Sequence, residues 1–355
     1  MPIFTNEQLI RIATDIFVGA GTSRKNARIV AELLADANCT GHDSHGIIRI
    51  PQYLDSVEKG HLVTNAEVEV IQDNPLTSIV DGNWGFGQVA MTHAVEIGLE
   101  KARSNGLSAV AVRHSNHIGR LGSYVHHLAC EGMIGLLFVN AVGIPSFRMA
   151  PWGGTEPRLS TDPIAFGIPR SSGEPIVMDM TSTVVAEGKV RVKRNRNETT
   201  PEGWLLDSMG RPTNDPNKLY EDPPGSILPL GGTTAGHKGY GLNIVIELLA
   251  GILSGTGAVG SNVDQISNGV LLVTLDIAQF LSLEDYYRQA DKFIEHVKSS
   301  PPAEGFEEIL LPGDIEIKVK GKLQDEGIFV EDDTWNQILE WGGKFNVDVR
   351  ASAAL

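Results

Sequence analysis

Between positions 42 and 49 this chain places His42, Ser44, His45 and Arg49, just after an apolar helical segment ends. An imidazole titrates near neutral pH and can take or give a proton there. A guanidinium offers a planar fork that holds a carboxylate bidentately. Together they suit a small acid with an oxygen beside its carboxylate. A second stretch, Arg113-His114-Ser115-Asn116-His117-Ile118-Gly119, supplies two more imidazoles. Glycine follows His45 directly and His117 two residues on, so backbone or ligand can approach both closely. Two such motifs imply one site assembled from distant parts of the chain.

Other chemistries fit these residues less well. Ser44 is no hydrolase elbow, because position 42 is His rather than Gly and a helix precedes instead of a strand. Neighbours on a helix also point apart, so Ser44 and His45 need not touch. His42 with His45, and His114 with His117, share an i, i+3 spacing that can present two imidazoles to one ion. No cysteine or carboxylate signature accompanies them, so no metal site is expected, and His42 and His114 read as surface or supporting residues. The sequence Gly255-x-Gly257-x-x-Gly260 matches a dinucleotide fingerprint literally. An apolar helix precedes it where a strand is required, so it reads as a helix-ending loop. Lys238, between Gly236 and Gly239 where a helix is expected to start, can hold an anion or merely open that helix. Asp179 closes an apolar run and can orient a polar ligand or cap the next segment. The basic run Lys189, Arg191, Lys193, Arg194 and Arg196 reads as a solvated face, with contact to a 2′-phosphate as the alternative.

The elements that must carry these residues follow from periodicity. Thr5 with Gln8 forms a capping box, and Leu9, Ile10, Ala13, Ile16 and Phe17 recur at helical spacing. Ser23 caps a second helix that Gly41 ends. Beyond Val68, strands and helices alternate: helix 88–105 closed by Gly106, strand 107–113, helix 121–131, strand 133–140, then β-like runs at 163–169 and 175–180. Residues 189–232 are rich in Pro, Asn, Asp and Gly and read as loops. A helix at 239–254, a strand at 270–277 and a helix at 282–299 come next. Ile315 to Val319 reads as a strand, and 333–341 as the last helix.

With 355 residues, the chain can bury a large core and form two structural units. A formal charge of −15 argues against nucleic acid or an anionic membrane as partner. Cys39 and Cys130 form no disulfide framework, and a reducing, cytoplasmic setting is expected. The first residues lack the pattern of a secretory signal.

Taken in order, DSHGIIRIPQY, HSNHIGRLGSY, APWGG, PIAFGIP, DMTST with EGKV, GWLLDSMGRPTNDP, GHKGYGL and LPGD resemble the non-Rossmann malate/L-lactate dehydrogenase family. That family also holds ureidoglycolate, sulfolactate and Δ1-piperideine-2-carboxylate oxidoreductases, and the GHDSHG and HIGRLG variants are most similar to its broad-range hydroxycarboxylate dehydrogenases. The resemblance implies an α/β (α+β) fold, with a mixed, largely antiparallel sheet domain beside a helical domain. It implies hydride transfer between NAD(P)H and C2 of a small 2-oxo or 2-hydroxy acid, and a homodimer. Residues 1–70, 216–266 and 313–355 would form the helical substrate and dimerisation unit. Residues 71–215 and 267–312 would bind NAD or NADP, with NAD preferred. His45 matches the family's proton donor, Ser44 its hydrogen-bonding partner, and Arg49 its carboxylate binder. His117 matches an acid–base residue of some members and also opens a cofactor-contacting stretch. Ile118, Gly119, Arg120, Leu121, Thr161, Asp179, Met180, Thr181, His237, Lys238, Pro312, Gly313 and Asp314 match cofactor contacts, with Lys238 also facing substrate. The family's usual GTNP is STDP here, its DMATS is DMTST, and its imino-acid reductases carry aspartate where this chain has Lys189. Those reductases are the alternative activity, and a non-catalytic nucleotide- or metabolite-binding module is the alternative from another class.

Overall fold

The computed structural model describes residues 2–143, 147–261 and 265–354. At its amino terminus the Thr5 hydroxyl accepts from the Gln8 N–H while the Gln8 side chain accepts from the Thr5 N–H, completing the capping box. The helix so started, α1 (Asn6–Gly19), buries Leu9, Ile12, Ala13, Ile16 and Phe17. Ser23 caps α2 (Arg24–Cys39), which buries Ala27, Val30, Ala31 and Leu34. Two short 3₁₀ turns, Asp43–His45 and Ile47–Arg49, lead into α3 (Ile50–Glu58), with Pro51 in its first turn. These helices share a core with the carboxy-terminal helices Asp332–Lys344 and Val349–Ala354, around Phe17, Leu34, Leu54 and Ile338.

A seven-stranded sheet forms the second core. Its strands are β1 (Glu69–Asp73), β2 (Thr77–Asp81), β3 (Leu107–Ser115), β4 (Met133–Val142), β5 (Pro163–Ile168), β6 (Ile176–Thr181) and β7 (Ser267–Asp276), in the spatial order β1-β2-β3-β7-β4-β5-β6. Only β2 and β3 run parallel, joined by α4 (Gly87–Asn105), because a parallel pair needs a crossover. Gly106, at φ +88°, ends that helix in the left-handed region. α5 (Leu121–Cys130) returns the chain from β3 to β4. Both helices cover one face, where Met91, Val95, Val125 and Leu128 meet Val110, Leu137, Ala165 and Leu272. The fold is thus the mixed α/β arrangement expected, with all but one pairing antiparallel.

The structure corrects several element readings. Residues 189–232 are not all loop: α6 (Glu187–Asn195) lifts the basic run onto a helix, and short strands occur at Leu205–Leu206, Pro212–Thr213 and Ser226–Ile227. The turn-forming residues misled because Glu187 at the start and Lys193 and Arg194 at the end favour a helix through its dipole. The next helix, α7 (Gly232–Ile246), starts before Gly239, kinks at Ala235 and runs into a π turn, Glu247–Ile252. It lies on the sheet's other face, where Leu242, Ile246 and Ala250 pack with Phe138, Ile164, Phe166 and Met178. After α8 (Leu283–Lys298), Ile315 to Val319 lies in helix α9 (Asp314–Glu326) and not in a strand. Its period-two alternation is that of an exposed helix without a buried face: Ile315 is 60% exposed. The helix at 332–344 is followed by another, so it is not the last. Among the described residues no helix is long and apolar enough to cross a membrane.

Candidate active site

The stretch holding His45 is pinned from α2. Asn38, buried on α2, donates from Nδ2 to Asp43 at 2.7 Å and accepts the Ile47 N–H on Oδ1 at 2.8 Å. Gly46 is required beneath it, since a Cβ there would lie 2.1 Å from the Asn38 oxygen. The result is a tight double turn instead of a continued helix. Adjacent side chains can meet in that turn, so Ser44 Oγ lies 3.1 Å from His45 Nδ1, against the expectation from helical neighbours. Arg49 donates from Nε to the Ser44 carbonyl at 2.6 Å and from Nη1 to Gln52 at 2.5 Å. No carboxylate of the described residues pairs with it, so its charge is left for a ligand.

His117 comes from the crossover between β3 and α5. A bulge in β7 between Asn268 and Val270 aims the Asn268 side chain at this crossover, as bulges beside functional sites do. Asn268 accepts the Ile118 N–H at 3.1 Å and donates to the Asn140 carbonyl at 2.9 Å. The two imidazoles stack with ring centroids 5.6 Å apart and planes 21° from parallel. On its far side, His117 Nδ1 lies 2.7 Å from the Tyr53 hydroxyl.

The surroundings disfavour extra positive charge. Burial, then Arg49, His42 and Arg120, push the pKa of His45 down to about 3. Burial, Arg49 and His45 hold His117 well below its ordinary value. Both rings are therefore neutral at physiological pH, and Arg49 is a cation close enough to bear on both.

A cleft of about 410 Å³ contains this pair. Ser44, His45, Arg49, His117, Ile118, Gly119, Arg120, Leu121, Thr161, Asp179, Met180 and Thr181, all singled out from the sequence, line it together. Val139, Ala141, Pro163 and Val185 give it an apolar wall. The first turn of α6 closes it: a Cβ on Gly188 would come within 3.0 Å of the Ser44 Cβ. Asp179 does not cap its own next segment; it accepts the Gly122 N–H at 2.7 Å and so caps α5, whose Arg120 cap position gives no side-chain bond. Burial raises its pKa.

Arg120 is shared with a neighbouring cavity of about 460 Å³, which also holds Gly313, Asp36, Glu96, Glu174 and Lys320. Pro312 and Asp314 flank that cavity, the first accepting the Val177 N–H and the second pairing with Lys298. His237 and Lys238 are exposed and line neither cavity; the His237 ring sits against Trp152. Of the two i, i+3 histidine pairs, His42 lines the cleft with His45 while bonding Glu316, and His114 bonds Asp81. The Gly255 to Gly260 run follows the π turn as a loop, with positive φ at its three glycines.

Sequence reasoning missed Asn38, Tyr53, Gln88 and Asn268. Tyr53 had one available clue, since it follows Arg49 by four residues and shares its helical face.

The cleft accepts a nicotinamide coenzyme on its own terms. It offers an apolar wall for a flat ring, the Thr161 hydroxyl takes no partner among the described residues, and a second cavity shares Arg120 with it.

Residues 4–339 match the family model described as malate/L-lactate dehydrogenase. The hydroxycarboxylate dehydrogenase B of Escherichia coli K12 is 36% identical over 92% of this chain and 89% of its own. The L-sulfolactate dehydrogenase of Methanocaldococcus jannaschii is 35% identical over 93% of each. The malate dehydrogenase structure from Entamoeba histolytica superposes with a TM-score of 0.92 at 27% identity over 98% of both chains, and that of the Δ1-piperideine-2-carboxylate reductase of Pseudomonas syringae with 0.84 at 31% over 96% and 100%.

Proposed function

Since the chain belongs to the malate/L-lactate dehydrogenase family and is a 2-hydroxy acid dehydrogenase, an oxidoreductase acting on CH–OH donors with a nicotinamide coenzyme, we propose that its cleft interconverts a small 2-hydroxy acid and its 2-oxo acid between His45, His117 and Arg49. The observation that carries this reading is Arg49, a cation without a carboxylate partner beside two stacked neutral imidazoles.

Arg49 clamps the substrate carboxylate and so fixes the C2 oxygen between the rings. In oxidation, neutral His45 takes the hydroxyl proton. Ser44 steadies the charged ring through Nδ1. In reduction, the imidazolium of His45 returns that proton to the oxygen. His117 holds the oxygen by a hydrogen bond. A nicotinamide coenzyme held in the cleft would supply the hydride acceptor or donor. A bound carboxylate also offsets the Arg49 charge that helps push His45 down, so substrate makes the ring a better proton acceptor. Ile118 to Leu121, Thr161 and Asp179 to Thr181 would hold the nicotinamide half, and the cavity beside Gly313 the other half.

We assign NAD rather than NADP. The carboxylates of Glu32, Asp36, Glu96, Glu174 and Glu316 outnumber Arg120 and Lys320 around the second cavity, which supports a coenzyme without a 2′-phosphate. The exposed stripe Val245, Leu248 and Ile252 supports a homodimer, and two free cysteines support a cytoplasmic setting. The test is a panel of NADH and NADPH against oxaloacetate, pyruvate, sulfopyruvate and piperideine-2-carboxylate, read by coenzyme absorbance. Turnover of an open-chain 2-oxo acid with NADH is expected. Turnover of the cyclic imine alone, or of NADPH alone, would overturn the corresponding part.

A further inference from the structure

Tyr53 and Gln88 do not line the cleft, yet they form one chain of hydrogen bonds that ends on His117. Tyr53 rises from α3, one helical turn beyond Arg49, and is 3% exposed. Its ring is wedged between Phe17, at a centroid distance of 6.4 Å, and Phe86, edge-on at 6.2 Å. The hydroxyl therefore has one direction to point. Gln88, fully buried in the first turn of α4, donates from Nε2 to that hydroxyl at 2.8 Å. On the other side the hydroxyl lies 2.7 Å from His117 Nδ1.

A phenol has one proton to give. With the amide already donating to its oxygen, that proton must go to His117 Nδ1. Nδ1 is then an acceptor, and the single N–H of the neutral ring stands on Nε2. We propose that Tyr53 and Gln88 are positioning residues that fix His117 as the neutral Nε2–H tautomer, making it a hydrogen-bond donor to the substrate oxygen and leaving proton exchange to His45. Protonating His117 would set an N–H on Nδ1 against a phenolic O–H that points at it. The ring is thus barred from becoming the general acid by hydrogen-bond direction as well as by the charges around it. Those are Arg49 and His45, with Tyr53 itself pushed up to about 12 by burial and so protonated throughout the working range. His45 has no such lock, because the Ser44 hydroxyl can turn to donate or accept as the ring changes charge.

The inference rests on the proposed site for His117's contact with substrate, but its first test does not. In ¹⁵N-detected spectra of the whole protein without substrate, His117 should show the Nε2–H tautomer, with the resonance assigned by its loss in His117→Gln. An Nδ1–H tautomer would mean that the Gln88–Tyr53 chain runs the other way, and would overturn the proposal whatever the enzyme turns over. The second test is Tyr53→Phe, which keeps the ring and removes the proton. Turnover should fall roughly ten- to a hundredfold with KM for the 2-oxo acid little changed, as expected when geometry rather than binding is lost. His117 should then titrate at higher pH, moving the acid limb of kcat upward. Unchanged kcat and an unmoved limb would also overturn it. Gln88→Glu supplies an acceptor where a donor stood, reverses the chain and should be at least as damaging. If Tyr53→Phe fails to fold, the wild-type tautomer decides alone.

Discussion

His45 meets Ser44 within its own turn, whereas His117 is held from three other elements, directly by Tyr53 and indirectly by Gln88 and Asn268. Ser44, Arg49 and the Asn38 fastener all lie within eleven residues of each other on one side (positions 38 to 49). On the other side Tyr53, Gln88 and Asn268 reach in from α3, α4 and β7. The local arrangement leaves a rotatable hydroxyl on the ring; the distributed one presents a phenol whose oxygen already accepts from Gln88. A group that changes charge in each cycle needs partners that can adapt, and a group that only aims needs partners that cannot. On the proposed roles, the contrast between the two rings is one of task.

The sharpest break of this contrast is His45→Ala. Loss of the proton-transfer group should lower kcat by roughly a thousandfold with the fold intact, measured by steady-state kinetics and circular dichroism. The intact enzyme adds a pH signature. His45 must be neutral to accept the hydroxyl proton, and its depressed pKa means that this form is lost only as pH falls through about 3. The acid limb of kcat/KM for oxidation, which reports the free enzyme, should lie far below 6.5. The limb of kcat should lie higher, because the bound carboxylate offsets Arg49. Coincident limbs near neutrality would contradict the assignment.

Arg49→Lys probes what the two rings share. It keeps the charge and loses the fork, so kcat/KM should drop about a hundredfold, chiefly through KM. Equal losses in kcat and kcat/KM with KM unchanged would argue that Arg49 acts on the reaction and not on binding. The mildest test is Gly188→Ala, which pushes the α6 turn against Ser44 and should cost about 1–3 kcal/mol of local fit. A fall in kcat of a few fold, without change at His117 in the spectra, would place the disturbance on the local side alone.

The same division explains what could be read from the chain. The capping box at Thr5, the cap at Ser23, the stop at Gly106 and the strands around 107–142 were legible because each depends on neighbours a few residues apart. The Asp43 to Arg49 cluster was legible for the same reason. Tyr53 and Gln88 were not, since nothing in a tyrosine of an amphipathic helix or a glutamine at a helix start announces a shared histidine. Asp179 was recognised as polar and placed, but its partner, the Gly122 N–H, lies on another element. α9 was misread because period-two spacing distinguishes a strand from a helix only when one face is buried.

The strand β7 sits in the middle of the sheet yet is made from residues 267–276, long after its neighbours β3 and β4. A growing chain folds from its amino end as it is synthesised. Until that segment emerges, β3 and β4 have no strand between them, and Asn268 is not there to hold the Ile118 amide beside His117. The nascent protein can form the turn that carries His45 early, but the crossover that carries His117 gains its Asn268 fastener only once residues 267–276 have been made. A chain cut before Ser267 should therefore be silent towards substrate.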